Sequence, residues 1–341
     1  MAELQQRLLS WYDESARDLP WRATTDPYAV WVSEVMLQQT RVDTVIPYYE
    51  RFVRSFPTAR ALADADEDAV LSHWSGLGYY RRARMLHAGV REVVAQYDGV
   101  VPEDAEARRA LPGIGRYTAG AIGSIAFGKP EPVVDGNVTR VLARLLRIDT
   151  PTGAAVTTKR LWEEAARLIP SERPGDFNQA LMELGATVCT PRQPKCESCP
   201  LSEGCAAFAQ GEVDALPVAK ARKAPRELKL AAVVATSGRG ADRKVWMNKG
   251  DKALFGGLWG VPMIEGTPRD ALRAAGLRAR LRTEPVGEIE HVLSHRRLCI
   301  DVYRATGANG VETHSHKAFS PDELDRVGVS RLMLKVLAVA F

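Results

Sequence analysis

The sequence predicts two domains of different class: an all-α domain over residues 1–209 and a smaller α+β domain over 229–341, joined by a linker at 210–228. Three observations carry this. Apolar residues recur at the helical period from the first residues to Cys189. A tight run of cysteines then closes the helical part, and beyond it the texture changes to short segments rich in β-branched residues.

Taken in order, the helical segments are LQQRLLSWYDE, VWVSEVMLQQTRVDTVIPYYERFVRSF, AVLSHWSGL, RARMLHAGVREVVAQY, TAGAIGSIAFG, NVTRVLARLLRI and TKRLWEEAARLI. Proline and glycine break them at Pro57, Gly76, Gly78, Pro102, Pro112, Gly128 and Pro170. GEVDALPVAKARKAPRELK has no period and reads as linker. LAAVVATS, RKVWMNK, VGEIEHVL and LCIDVYRA read as strands, with helices at TPRDALRAAG and at SRLMLKVLAVAF.

Composition narrows the class of partner. The chain has 45% hydrophobic and 26% charged residues, with a net charge of +4, as expected of an ordinary soluble globular protein. No apolar run reaches membrane-spanning length, and the acidic start MAELQQRLLSWYDE is not a secretory signal. A cytoplasmic protein is expected, whose cysteines stay reduced and favour metal over disulfides. Arginines cluster at Arg81, Arg82, Arg84 and Arg91 and again at Arg269, Arg273, Arg278, Arg280 and Arg282. These are ordinary as solvated helix faces, and they also suit a polyanion.

Four of the five cysteines fall at Cys189, Cys196, Cys199 and Cys205, spaced C-x6-C-x2-C-x5-C. Four thiolates this close suit a tetrahedral zinc or an iron–sulfur cubane. In LPGIGRYTAGAI, Gly113 and Gly115 permit a tight turn whose backbone N–H groups, at the start of the next helix, suit a phosphate; an ordinary helix connection would look the same. Glu34 in WVSEVMLQQT is surrounded by Trp31, Val32, Val35, Met36 and Leu37. If buried, such a carboxyl holds its proton near neutral pH; on a solvated helix edge it would not. Asp135 in VVDGNVTR stands where a helix N-cap is expected.

That ordered set of glycine hairpin, VVDGNVTR and four-cysteine spacing resembles the helix–hairpin–helix DNA glycosylases that carry an iron–sulfur cluster, the endonuclease III and MutY group. The resemblance covers the whole helical domain and implies one 4Fe–4S cluster, rather than zinc, on Cys189, Cys196, Cys199 and Cys205. Strand-cleaving members place a lysine in the helix after the hairpin. Here the matching position is Tyr117, and no lysine lies between Val101 and Phe127, so the Schiff-base nucleophile is missing. WVSEVMLQQT is similar to the adenine-excising MutY family, which implies Glu34 as catalytic acid. By the same resemblance Asp135 faces the sugar with Asn137 beside it, and Tyr117 helps to orient the site. Tyr79 in LGYYRRAR is implied to wedge into the base stack, and Gln39 to fill the gap left by the flipped base. Trp21 and Arg22 in LPWR and Gln179 in FNQALMELG are implied to line the adenine pocket, while Gly113 and Gly115 bind DNA phosphate.

GGLWGVP in the second domain resembles a Nudix-type fold, yet TPRDALRAAGLRAR has no glutamate to bind the magnesium that pyrophosphate hydrolysis needs. EHVLSHRRL resembles the loop with which MutY proteins read 8-oxoguanine, with Ser294 and His295 as its polar positions and Leu293 where the family carries an aromatic. The expected protein is therefore a multidomain chain: a helix–hairpin–helix glycosylase domain with an iron–sulfur loop, followed by a Nudix-like α+β domain. It is expected to be a monomeric, monofunctional glycosylase that acts on duplex DNA containing adenine opposite 8-oxoguanine or guanine. An endonuclease III-like lyase and a non-catalytic iron–sulfur protein are the alternatives.

Overall fold

A computed structural model describes residues 1–219, 226–250, 255–293, 296–324 and 326–341. The chain divides into two compact units, Met1–Ala63 with Ala88–Arg222, and Asp64–His87 with Lys223–Phe341.

The first unit is helical. Its elements are α1 (Ala2–Ser15), α2 (Pro27–Leu37), α3 (Val42–Ser55) and α4 (Ala59–Ala63). After α5 (Glu67–His73) of the other unit and α6 (Arg81–Tyr97), which runs from one unit into the next, come α7 (Ala105–Ala110), α8 (Arg116–Ile125) and α9 (Gly136–Leu145). They are followed by α10 (Ala155–Leu168), α11 (Pro174–Thr187) and the short α12 (Ala206–Ala209). Helix starts follow their caps. Asp26 accepts the Tyr28 N–H at 3.1 Å before Pro27 opens α2, and Asp104 accepts the Ala107 N–H at 2.8 Å before α7. A core of Leu8, Leu142, Phe177, Leu181 and their neighbours joins α1, α9, α10 and α11. Helix α2 is apolar nearly all round, with Tyr28 and every residue from Val30 to Met36 buried, which is the pattern of a helix enclosed on all sides.

Around α7 and α8 the unit buries charge. Arg108 is fully buried; it donates to the Pro102 carbonyl at 3.3 Å and to the Glu103 carbonyl, and pairs with Glu131. Asn178 donates to Ser124 Oγ and to the Glu131 carbonyl, both at 2.8 Å. Residues expected as linker are fastened in part: Arg147 pairs with Glu212 at 2.6 Å, and the Thr152 N–H donates to the Val218 carbonyl at 3.1 Å.

The second unit holds a mixed sheet of β1 (Arg226–Ser237), β2 (Lys244–Lys249), β3 (Trp259–Gly260), β4 (Met263–Ile264), β5 (Arg278–Leu281), β6 (Gly287–Val292), β7 (Arg296–Asn309) and β8 (His316–Phe319). The long strands β1 and β7 run parallel from Arg226↔Arg296 to Thr236↔Thr306. Antiparallel partners flank them, β2 and β4 on β1, β5 and β6 on β7. Alternate residues of the central strands feed two cores. Ala232, Val234, Ile300 and Val302 pack with α15 (Arg331–Ala340), whereas Val233, Ala235 and Ala305 pack with α13 (Pro268–Ala274). A four-residue helix α14 (Pro321–Leu324) lies between β8 and α15 in sequence. Thr267 and Asp270 form a capping box at α13, and Ser330 caps α15. The strands expected from β-branched segments and the two expected helices are all present. Arg278 and Arg280, read as residues of a solvated helix face, lie instead on β5, where exposure alternates along Arg278–Leu281; the arginines repeat every second residue, the period of a strand. Leu293 packs against the α15-side core, and the two expected recognition residues that follow it, Ser294 and His295, lie outside the described residues.

Removing the guanidinium of Arg108 would strand the Glu131 carboxylate against a closed core. Arg108→Ala is expected to lower unfolding free energy by about 3–5 kcal/mol, read by denaturant titration.

Candidate active site

A cleft of about 680 Å³ opens in the helical unit. The structure brings ten of the sequence-predicted residues to its walls: Trp21, Arg22, Glu34, Gln39, Gly113, Gly115, Tyr117, Asp135, Asn137 and Gln179. Tyr79 belongs to the other unit, where it is 48% exposed with a left-handed φ of 50°.

Glu34 is delivered by α2 and is only 4% exposed. Burial pushes its carboxyl up to about 7; the Asp135 charge adds to this, while the Tyr117 hydrogen bond and Arg22 oppose it. The Tyr117 hydroxyl donates to Glu34 Oε2 at 2.6 Å and also meets Met182 Sδ at 3.2 Å. Burial, reinforced by Glu34 and Asp135, raises the Tyr117 phenol well above its ordinary value, so it remains a donor.

Asp135 caps α9. Its Oδ1 accepts the Val138 N–H at 2.7 Å, and its Oδ2 accepts Asn137 Nδ2 at 3.1 Å. Burial raises this carboxyl too, but the bonds from Val138 and Asn137 and the charge of Arg140 pull it back. Both carboxyls are therefore raised, and they differ in their partners: Glu34 receives one phenol hydroxyl, whereas Asp135 receives a backbone N–H and an amide. Arg140 continues the chain of contacts. It donates to Asn137 Oδ1 at 2.8 Å, to the Gly185 carbonyl at 2.7 Å and to the Cys189 carbonyl at 2.6 Å. Gly185 lets α11 come this close: a Cβ there would stand 2.6 Å from Asn137 Cβ.

The cleft lining also contains a residue that sequence reasoning missed. Glu183, 1% exposed, receives Arg17 Nε at 2.6 Å and Arg22 Nη2 at 2.8 Å. Burial alone would raise its carboxyl, yet the bonds and charges of Arg17 and Arg22 outweigh it and hold the group low. The available signal was its place four residues after Gln179 on α11, which puts both on one helix face. Trp21 is packed edge-on to Tyr49 with centroids 5.5 Å apart, and Arg22 lies over the Tyr12 ring at 5.3 Å. Gly113 (φ 79°) turns the chain between α7 and α8, and Gly115 caps α8 with no side chain over the free N–H groups.

Cys189, Cys196, Cys199 and Cys205 line one small apolar cavity with Val141, Leu145, Leu184 and Val188. Burial, then the neighbouring sulfurs, push the Cys199 thiol up to about 11 and raise Cys196 as well. Such a set becomes thiolate only around positive charge. Arg144 supplies some, donating to Cys189 Sγ at 3.3 Å while also binding the Thr190, Val213 and Leu216 carbonyls. Among the described residues no group of three or more His, Cys, Asp or Glu gathers around a single-ion position. Four sulfurs lining one cavity are a donor set that suits an iron–sulfur cluster.

Comparison with known proteins identifies the family and its domains. Residues 32–167 match the HhH-GPD superfamily of base excision DNA repair proteins, residues 189–205 the iron–sulfur binding domain of endonuclease III, and residues 233–339 the NUDIX domain. The chain is thus a base excision DNA repair protein with an iron–sulfur binding domain and a C-terminal NUDIX domain. The adenine DNA glycosylase of Mus musculus is 40% identical over 88% of this chain and 70% of its own length. That of Homo sapiens is 37% identical over 97% and 73%. A thermostable thymine-DNA glycosylase structure superposes with a TM-score of 0.54 at 32% identity, covering 60% of this chain and 95% of the other. An endonuclease III–DNA complex, at a TM-score of 0.52 and 23% identity over 61% and 94%, shares the fold. The chain belongs to the adenine DNA glycosylase family, hydrolytic enzymes of base excision repair.

The raised Glu34 carboxyl also makes stability depend on pH. Its folded value of about 7 lies above the ordinary 4.5, so the folded chain holds a proton that the unfolded chain releases between these values. The contribution is present below the unfolded value and lost as pH rises through 7. Glu34→Gln, which cannot ionise, is expected to gain on the wild type by about 2–3 kcal/mol between pH 5 and pH 8, read by denaturant midpoints at both pH values.

Proposed function

We propose that this adenine DNA glycosylase releases adenine mispaired with 8-oxoguanine or guanine in duplex DNA, by hydrolysis alone and without lyase chemistry. The observation that carries the reading is the pair of unlike carboxyls in one cleft: Glu34, buried and bonded to Tyr117, and Asp135, held by Val138 and Asn137.

The glycosidic bond is shielded inside a duplex, so the adenine must leave the stack. In the cleft, Trp21, Arg22 and Gln179 line its pocket, with Glu183 as a further acceptor for the exocyclic amine. Adenine leaves poorly as an anion. Glu34 gives its proton to ring nitrogen N7, and the neutral base departs. The electron-poor sugar left behind is stabilised by the Asp135 carboxylate, electrostatically or through a transient ester, in the manner of two-carboxylate glycosidases. Glu34, now ionised, takes a proton from the attacking water. Tyr117 fixes the Glu34 carboxyl and Asn137 fixes Asp135. A lyase would need an amine nucleophile, and among the described residues lining the cleft none is lysine.

Gly113 and Gly115 offer backbone N–H groups to a phosphate, Gln39 fills the vacated place, and Tyr79 wedges beside the lesion. Ser294 and His295 read the partner base. Cys189, Cys196, Cys199 and Cys205 hold one 4Fe–4S cluster, whose chemistry here is structural: four thiolates bound to iron fold the loop that docks on DNA. The protein acts as a monomer on chromosomal DNA in the cytoplasm.

Duplexes with adenine opposite 8-oxoguanine, guanine or thymine, heated with alkali after incubation, should break at the adenine for the first two, with no covalent adduct trapped by borohydride. Glu34→Gln is expected to slow release by about 100-fold or more while duplex binding persists; release at the normal rate would remove Glu34 from the acid's role. Because the acid must be protonated, wild-type kcat/KM should fall as pH rises past about 7, and a flat profile from pH 6 to 9 would contradict it. The purified chain should carry about four iron atoms with broad visible absorbance, lost in Cys199→Ser; zinc and no colour would reject the cluster.

A further inference from the structure

Residues 64–87 lie within the helical half of the sequence yet pack with residues 223–341, and their contacts converge on the loop that bears Tyr79. That loop is conformationally expensive. Gly76 (φ 94°), Gly78 (φ 77°) and Tyr79 (φ 50°) all take left-handed backbone, and for a tyrosine this persists only when its surroundings impose it. From within, Trp74 Nε1 and Arg82 Nη2 both donate to the Gly78 carbonyl at 3.1 Å.

The loop's two flanks are held by one acceptor. The Val329 carbonyl receives Ser75 Oγ at 3.0 Å and the Tyr80 hydroxyl at 3.2 Å, and the same Tyr80 oxygen accepts the Gly76 N–H at 3.1 Å. Val329 is itself fixed, 2% exposed and bridged to Trp259. Trp259 Nε1 donates to Asp68 Oδ2 at 3.4 Å, and Asp68 also pairs with Lys249 at 3.0 Å. The exposed Tyr79 ring is therefore carried on a strained turn whose flanks are both tied to the sheet-bearing part of this unit.

We propose that Ser75 and Tyr80 are positioning residues: their hydroxyls, meeting on the Val329 carbonyl, hold the Tyr79 loop in the shape that enters the base stack. The proposal rests on the wedge reading of Tyr79 above. A side chain that opens a base step must oppose stacking energy. A loop free to relax would yield instead of pushing, so the wedge needs an anchor outside its own turn. The consequence is that the domain read as inspecting the partner base also stiffens the device that extrudes adenine.

The test uses the full-length, cluster-loaded protein in single-turnover adenine release, with 2-aminopurine fluorescence in place of adenine to report extrusion. Loss of both hydroxyls, in Ser75→Ala with Tyr80→Phe, is expected to slow release opposite guanine about tenfold and to reduce the 2-aminopurine rise on binding. When the adenine faces an abasic analogue, and extrusion is already easy, the slowing should shrink to about threefold or less. Ser75→Thr, which keeps a hydroxyl, should behave as wild type. Equal slowing on both duplexes, or no slowing, would overturn the anchor. If the double variant does not fold, Ser75→Ala and Tyr80→Phe carry the same comparison singly, each with about threefold slowing opposite guanine. Tyr79→Ala run in parallel separates the two ideas. An unchanged 2-aminopurine rise in Tyr79→Ala removes the wedge itself, whereas a loss there with none in the hydroxyl variants removes only the anchor.

Discussion

The helical unit is organised around the need to keep one carboxyl out of water at the wall of an open cleft. Glu34 is 4% exposed although the cleft it lines measures about 680 Å³. That requires walls on nearly every side of α2, and the sequence supplies them as an almost unbroken apolar helix from Val30 to Met36. A helix of this kind cannot lie on a surface. The glycine hairpin then brings α8 past it so that Tyr117 can close the last polar contact, and the Asp135 cap begins α9 nearby. Charges elsewhere in the cleft are neutralised internally, as where Arg17 and Arg22 share Glu183, so buried ions do not draw water toward Glu34.

Much of this was legible in the sequence, for identifiable reasons. The cysteine spacing, the glycine hairpin and the Asp135 cap are local signals, each contained within a short stretch of chain, and the structure places the residues they name in one cleft or one loop. The strands from Leu230 to Ser237 and from Leu298 to Ala305 were readable because β-branched content survives even where both faces are covered.

What was not legible depends on contacts distant in sequence. Glu183 looks like any helical glutamate until Arg17 and Arg22, more than 160 positions earlier, are brought to it. The grouping of residues 64–87 with the C-terminal part of the chain has no local mark at all; it arises from Val329, Trp259 and Lys249 meeting Ser75, Tyr80 and Asp68. Arg278 and Arg280 misled for the opposite reason. Their charge suggested solvated helix, while their two-residue spacing, the better guide to geometry, belonged to a short edge strand.

Gly185 bears on how this chain can vary in descent. It is neither charged nor catalytic and lies near the end of a regular helix, so nothing in its chemistry marks it as important. A Cβ in place of its hydrogen would nevertheless stand 2.6 Å from the Cβ of Asn137, the residue that steadies Asp135. The smallest change a codon can make there, one methyl group, must move either a helix or Asn137. Lineages are therefore expected to keep this position for want of room, and its loss would resemble damage to the active site although no reacting group had been altered.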